Sequence, residues 1–194
     1  MPNNPGLTGA ITGAALLLAS ALPLPAHASF VATTTLSGAN ERPDPVPTSA
    51  TGSATVTYDS TLGILTYQVS YANLSSPSTM GHIHVAAPTV NGPVVLSFDS
   101  VFPFGTTTAS FSGTADDGDI LAGNVAGITT VAQLAAEIQA GRAYVNIHST
   151  LHPAGEIRGN LAVTAVPEPA SLALLGAGVL AAAATRRRTG RRRG

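Results

Sequence analysis

Residues 52–71 read GSATVTYDSTLGILTYQVSY and contain the clearest strand pattern in the chain. In residues 52–58 and 64–71, apolar side chains alternate with small polar ones, which is typical of strands that bury one face. Between these two runs, Asp59 and Gly63 favour a tight connection. These residues therefore predict a β-hairpin.

Similar signals recur along the chain at short intervals. They predict further strands at residues 30–36, 80–85, 94–98, 106–112, 143–148 and 157–163. One helix is expected after Thr130, which forms a capping pair with Gln133, and it should stop at Gly141. Neither internal repeats nor βαβ alternation occur. The pattern predicts an all-β fold, an antiparallel Greek-key β-sandwich of immunoglobulin-like or superoxide-dismutase-like type with one short helix.

The charges are distributed unevenly. Residues 29–166 carry nine acidic side chains and three arginines, a formal charge of −6, whereas six further arginines lie in the last nine residues. Such an acidic domain argues against nucleic acid as a partner. The chain has no cysteine, which excludes disulfides, thiolate nucleophiles and a lipid-modified cysteine anchor.

The N-terminus has the features of a signal peptide. An apolar run over residues 7–22 is followed by prolines and then by Ala26, His27 and Ala28. Small residues at Ala26 and Ala28 fit the positions that signal peptidase recognises. We expect a signal peptide over residues 1–28 that is cleaved after Ala28. The alternative is an uncleaved membrane anchor, because residues 1–6 contain no lysine or arginine.

The C-terminus has a three-part organisation. Pro167, Glu168 and Pro169 precede an uncharged segment, residues 170–184, which is followed by the six arginines. A helix of fifteen residues spans only about 22 Å, short of the roughly 30 Å hydrocarbon core of a bilayer. It is a marginal membrane helix, and the arginines would hold its end in the cytoplasm. The alternative is a permanent single-span anchor.

This order of motif, short helix and arginine cluster resembles the PEP-CTERM sorting signal. The resemblance implies that residues 166–194 are a sorting tail recognised by an exosortase in the inner membrane of a Gram-negative bacterium. Cleavage would fall near Pro167, Glu168 and Pro169. The protein would then pass from the periplasm to the cell surface or the extracellular matrix.

Polar side chains concentrate on three of the predicted strands. Alternation sets His82 and His84 on one face of their strand, and Asn146 and His148 on one face of theirs. The last strand adds two more polar residues, Glu156 and Arg158. If the strands are neighbours, the six side chains form one polar cluster. Two interpretations remain open: His82, His84 and His148, assisted by Glu156, bind Zn²⁺ or Cu²⁺, or the cluster is a hydrogen-bond network without metal.

Five segments of this interior resemble successive blocks of the CHRD (chordin-type) domain. They are LSGANE at residues 36–41, GHIH at 81–84, NGPVV at 91–95, GRAYVNIH at 141–148 and GEIRG at 155–159. The resemblance implies that residues 29–165 form one extracellular domain of a family without a generally assigned enzymatic activity.

Together these features predict an exported, non-enzymatic module with no catalytic residues and no required cofactor. Its expected partner is a surface polysaccharide or protein, bound through loops 42–47 and 149–155. The alternative is a metal-binding or metal-dependent redox domain that uses the histidines. The histidine pair is also similar to that of copper-zinc superoxide dismutases, but residues 29–194 contain only four histidines, too few for the paired metal sites of that family.

Overall fold

A computed structural model describes residues 29–164 of the chain. Within these residues, one α-helix, α1 (Val131–Gln139), lies between β6 and β7. The nine strands are β1 (Phe30–Ser37), β2 (Thr51–Asp59), β3 (Ile64–Ala72), β4 (Ser78–Val85), β5 (Val94–Ser97), β6 (Ala109–Ala115), β7 (Ala143–Ser149), β8 (Ile157–Asn160) and β9 (Ala162–Thr164).

All strands pair antiparallel in a single sheet of order β5-β4-β7-β8-β1-β2-β3-β6, with β9 also paired to β1. The sheet curls into a half-barrel, so its two halves face each other across one core. Rings from both halves meet there: Tyr67 of β3 lies 4.7 Å from Phe98, and Phe111 of β6 lies 5.5 Å from Phe102, measured between ring centroids. The prediction of an all-β, sandwich-like fold with one helix is confirmed.

The hairpin predicted from residues 52–71 is formed by β2 and β3. Their register runs without a break from Thr51 opposite Ala72 to Asp59 opposite Ile64. In the turn, the Asp59 carboxylate accepts hydrogen bonds from two backbone N–H groups, and Gly63 has a φ of 67°. A left-handed residue closes this turn, which is why glycine suits the position.

The predicted strand over residues 157–163 is divided into β8 and β9 at Leu161. Ser37 lies opposite Arg158 and Thr33 opposite Ala162, so both pieces keep the same register on β1. At the break, Leu161 is buried and its N–H donates to the carbonyl of Ala143. β8 pairs with both β7 and β1 and thereby joins the two halves of the sheet, whereas β9 continues the pairing with β1.

Helix α1 covers one part of the core. The Thr130 hydroxyl accepts from the N–H of Gln133, whose side chain accepts from the N–H of Thr130, which completes the predicted capping box. One face of the helix, with Leu134 and Ile138, is fully buried, and the helix packs against β3, β7 and β9. Gly141 follows in the left-handed conformation and ends the helix as predicted.

All seven residues of β7 are buried, although its sequence alternates between apolar and polar side chains. Its apolar face points into the core, and its polar face is covered by Glu41, by the loop between β4 and β5, and by the turn around Pro153. Hydrogen bonds between distant segments therefore replace solvent around this polar face.

In residues 29–164, no helix has the length and apolar character needed to cross a membrane. Two predicted segments lie outside the described residues: the signal peptide with its cleavage site at Ala28, and the membrane segment at residues 170–184.

Candidate metal site

The structure brings His82, His84 and His148 together on the polar face shared by β4 and β7. Each contributes one ring nitrogen to a group whose atoms all lie within 4.8 Å of one another. The ring centroids of His82 and His148 are 5.1 Å apart, and those of His82 and His84 are 5.5 Å apart. This is the convergence that the alternation predicts, and it exists because β4 and β7 are adjacent in the sheet.

Two backbone carbonyls fix the orientation of these rings. The Nδ1 atom of His84 is 3.0 Å from the carbonyl oxygen of Gly92, and the Nδ1 atom of His148 is 3.0 Å from that of Pro153. A carbonyl oxygen only accepts, so each Nδ1 donates, and in the neutral ring each Nε2 keeps its lone pair. Metal-binding histidines in proteins are held by such contacts at the nitrogen remote from the metal.

The spacing of the remaining nitrogens suits a metal ion. The Nδ1 atom of His82 is 3.3 Å from the Nε2 atom of His148. Two nitrogens bound to one tetrahedral ion at about 2.0–2.1 Å are separated by about 3.4 Å. In addition, the Nε2 atom of His84 is buried and has no hydrogen-bond partner within the described part of the chain. The cluster thus presents an unused acceptor beside a pair of nitrogens at ligand spacing.

The histidines are neutral at neutral pH. Burial lowers the pKa of His82 and of His84 to about 4. The neighbouring His148 lowers both pKa values further, whereas the hydrogen bond to Gly92 opposes the shift of His84. Burial also lowers the pKa of His148. Neutral imidazole is the form that binds metals, so these rings need not lose a charge before they bind an ion.

Arg158 stabilises one side of the cluster. Its guanidinium carbon lies 3.5 Å from the centre of the Tyr144 ring, and that ring stacks on His84 at 4.7 Å with an interplanar angle of 5°. The fully buried guanidinium also donates hydrogen bonds to the loop between β4 and β5, at the Pro88 and Val90 carbonyls and Asn91 Oδ1. This loop carries Gly92, so Arg158 helps to position the carbonyl that orients His84.

Asn146 and Glu41 lie next to the histidines. Asn146 is directly opposite His82 in the sheet, and its amide donates to the Glu41 carboxyl over 3.4 Å. Among residues 29–164, neither the buried Asn146 Oδ1 nor the buried Glu41 Oε1 has a hydrogen-bond partner. Burial raises the pKa of Glu41 to about 7 despite the positive charge of Arg158. Sequence reasoning missed Glu41 as a site residue, although it ends the LSGANE segment.

Glu156 is not brought to the histidines. Its carboxylate accepts hydrogen bonds from the Thr48 hydroxyl, the Ser75 N–H and the Ser149 hydroxyl. Burial opposes ionisation, yet these hydrogen bonds hold the pKa of Glu156 below its usual value. The side chain therefore connects the segment before β2, the segment after β3 and the end of β7, and it takes no part in the histidine cluster.

Two protein-family models match parts of this chain. A model described as the CHRD domain matches residues 32–161. The chain belongs to the CHRD domain family. A second model, described as the PEP-CTERM protein-sorting motif, matches residues 165–188. Both resemblances noted in the sequence are confirmed.

The CHRD protein is thus an exported, membrane-processed and surface-directed protein that carries the signal for exosortase-type machinery. No curated protein and no solved structure matches the chain. Pro167, Glu168 and Pro169 lie inside the matched sorting motif but outside the described residues. Cleavage by signal peptidase after Ala28 stays a prediction.

Proposed function

We propose that this CHRD domain binds one transition-metal ion, Zn²⁺ or copper, at His82, His84 and His148, and that it serves as a binding module on the exported protein. One observation carries the proposal: the three histidines each place one ring nitrogen within 4.8 Å of the others, and the Nε2 atom of His84 is buried without a hydrogen-bond partner among residues 29–164. The role is binding because each of the three residues is less than a tenth exposed, which leaves little room for a substrate.

A hydrogen-bond network accounts for only part of the cluster. The two backbone carbonyls satisfy one nitrogen each of His84 and His148, and His82 satisfies the other nitrogen of His148. No group of residues 29–164 donates to His84 Nε2, and a buried acceptor without a donor costs about 1–3 kcal/mol. A metal ion would satisfy this atom and would draw the His82 and His148 nitrogens to the same centre.

The test is metal binding by the full-length chain, purified in detergent without a histidine tag. We expect one ion per chain by elemental analysis after incubation with Zn²⁺ or copper, and a higher melting temperature, because an ion that binds only the folded state stabilises it. The double variant His82→Ala and His84→Ala should lose both effects. His152→Ala is the matched control, since His152 lies in the next loop outside the cluster. Failure of the wild-type chain to bind either metal would refute the proposal.

The surface opposite the core favours a second role, binding of a neutral polysaccharide of the cell surface or matrix. On the outer face of β2, β3 and β6, nine uncharged polar side chains form three rows: Ser53, Ser70 and Ser110; Thr55, Gln68 and Ser112; and Thr57, Thr66 and Thr114. A shallow depression lies over the first two rows. Hydroxyl and amide groups at strand spacing offer many hydrogen bonds to sugar hydroxyls and no charge to attract an acidic polymer.

Retention on immobilised neutral and acidic polysaccharides tests this role. Gln68→Lys places a long charged side chain at the centre of the rows and should abolish retention on the neutral polymer, whereas Thr61→Lys in the β2–β3 turn should not. Retention of both variants to the wild-type degree would exclude this face as the binding surface. Because the rows lie away from the histidines, neither variant should change metal content.

For localisation, we further propose that the tail inserts with its arginines in the cytoplasm and is cleaved near Pro167, Glu168 and Pro169, so that the domain leaves the membrane for the cell surface or matrix. The support is the order of motif, apolar segment and arginines within the matched sorting signal.

A further inference from the structure

The three histidines have a neighbour on the same face of β4, the thioether side chain of Met80. In the pairing of β4 with β7, Met80 lies directly opposite His148. Alternate residues of a strand face the same side, so Met80, His82 and His84 share one face. The ring contacts of His148 with both His82 and His84 show that this face is the one that carries the cluster.

Met80 lies at one end of the cluster along β4, and Tyr144 lies at the other, opposite His84. Along β4 the opposite end is closed, because His84 is stacked on Tyr144 and held by Gly92. Directly paired residues have Cβ atoms about 4.5–5.5 Å apart, a distance that a flexible methionine side chain spans easily. The Met80 sulfur is thus within reach of an ion bound to His82 and His148.

The exposure of Met80 distinguishes it from a residue that fills the core. Its exposed fraction is 37%, whereas the three histidines are buried. Packing in the interior therefore does not account for a methionine at this position. A thioether at the rim, beside three imidazoles, is suited to complete a metal site.

The ligand set leaves the choice of metal to the fourth ligand. Among the described residues, the group of ligating side chains consists of three imidazoles and contains no carboxylate. Imidazole binds both Zn²⁺ and copper, so an additional ligand with a preference for one metal decides between them.

We infer that the ion at this site is copper, held as Cu(I) by His82, His84 and His148 with the Met80 thioether as fourth ligand. This inference rests on the metal-binding function proposed above and specifies the metal. Soft thioether sulfur is a good ligand for Cu(I) and adds little to the binding of Zn²⁺, which three imidazoles already coordinate well.

The experiment compares the full-length wild-type chain with Met80→Leu and with the double variant His82→Ala and His84→Ala, all in detergent and without a tag. Cu(I) affinity is measured anaerobically by competition with bicinchoninate, and Zn²⁺ affinity by competition with a chromophoric chelator. Met80→Leu keeps an apolar side chain of similar size, so a packing role would not change either affinity. We expect this variant to bind Cu(I) about tenfold more weakly or worse, with Zn²⁺ affinity unchanged within about twofold.

A second measurement observes the sulfur directly. The chain has two methionines, Met1 and Met80, so a sample labelled at the methionine methyl group gives at most two signals, and Met80→Leu identifies the second. We expect Cu(I), and not Zn²⁺, to shift the Met80 signal. Unchanged Cu(I) affinity in Met80→Leu, or wild-type chain that binds Zn²⁺ but not Cu(I), would overturn the inference and leave the histidine site intact. Binding of neither metal by the wild type would overturn both proposals.

Discussion

Replacing Glu41 by glutamine removes a buried carboxyl group whose ionisation opposes folding. In the folded protein the group is 3% exposed, one of its oxygens has no hydrogen-bond partner, and the other accepts a long hydrogen bond from Asn146. Asn146 Oδ1 is also without a donor. The amide of glutamine is nearly the same size, carries no charge and supplies a donor for that oxygen, so we expect the variant to fold.

The magnitude follows from the pKa. Burial raises the pKa of Glu41 from its ordinary 4.5 to about 7, so between these values the folded chain binds more protons than the unfolded chain. The free energy of unfolding of the wild type therefore decreases as the pH rises through this window. For a single group with these two pKa values, the loss between pH 5 and pH 8 is about 2.5 kcal/mol. Glu41→Gln lacks this loss, so its free energy of unfolding should rise by that amount relative to the wild type over the same pH range.

The assay is urea unfolding of residues 29–164 between pH 5 and pH 8, followed by circular dichroism. The difference between Glu41→Gln and wild type is the informative quantity, because the histidines titrate in both proteins and their contribution cancels. Glu137→Gln is the control: Glu137 pairs with Arg142 at the surface, and this pairing lowers its pKa, so most of its titration lies below this pH range. Parallel stability curves for Glu41→Gln and wild type would refute the assignment of a raised pKa to Glu41.

Two further predictions concern the residues that hold the site in place. Glu156→Gln should lower the free energy of unfolding at pH 7 by about 2–3 kcal/mol, because it leaves a buried donor without its acceptor. The control Glu137→Gln should change this free energy by less than about 0.5 kcal/mol. Similar losses in the two variants would contradict the structural role of Glu156. Gly155→Ala should lower the free energy of unfolding, measured with heat or urea, by about 2 kcal/mol or more, because φ is 128° and an added Cβ would lie 2.5 Å from the Asn146 amide. Gly63→Ala, with φ of 67° and open space around it, should lower it by only about 1 kcal/mol. Equal losses would show that the contact with Asn146 is harmless.

Some elements were predictable from local chemistry alone. The β2–β3 hairpin and the capping box of α1 follow from side chains close together in the chain, and the structure confirms both. The strand predicted at residues 106–112 is instead β6, Ala109–Ala115. Its start moves because Thr106 and Thr107 use their carbonyls to accept from the N–H groups of Ser78 and Leu74, far away in the sequence. Tertiary partners, and not propensity, set that boundary.

For the histidine cluster, too, local sequence determines one part and tertiary contacts determine the rest. Alternation of side chains along a strand places His82 and His84 on one face whatever the rest of the chain does, because that periodicity is a local property of extended backbone. Whether His148 meets them depends on the pairing of two strands whose histidines are 66 residues apart, and whether the rings lose their solvent depends on the segments around Glu41, Gly92 and Pro153. Strand order, burial and the displaced pKa values arise from contacts between distant segments, and these contacts exist only once the sheet has curled and its polar face is covered.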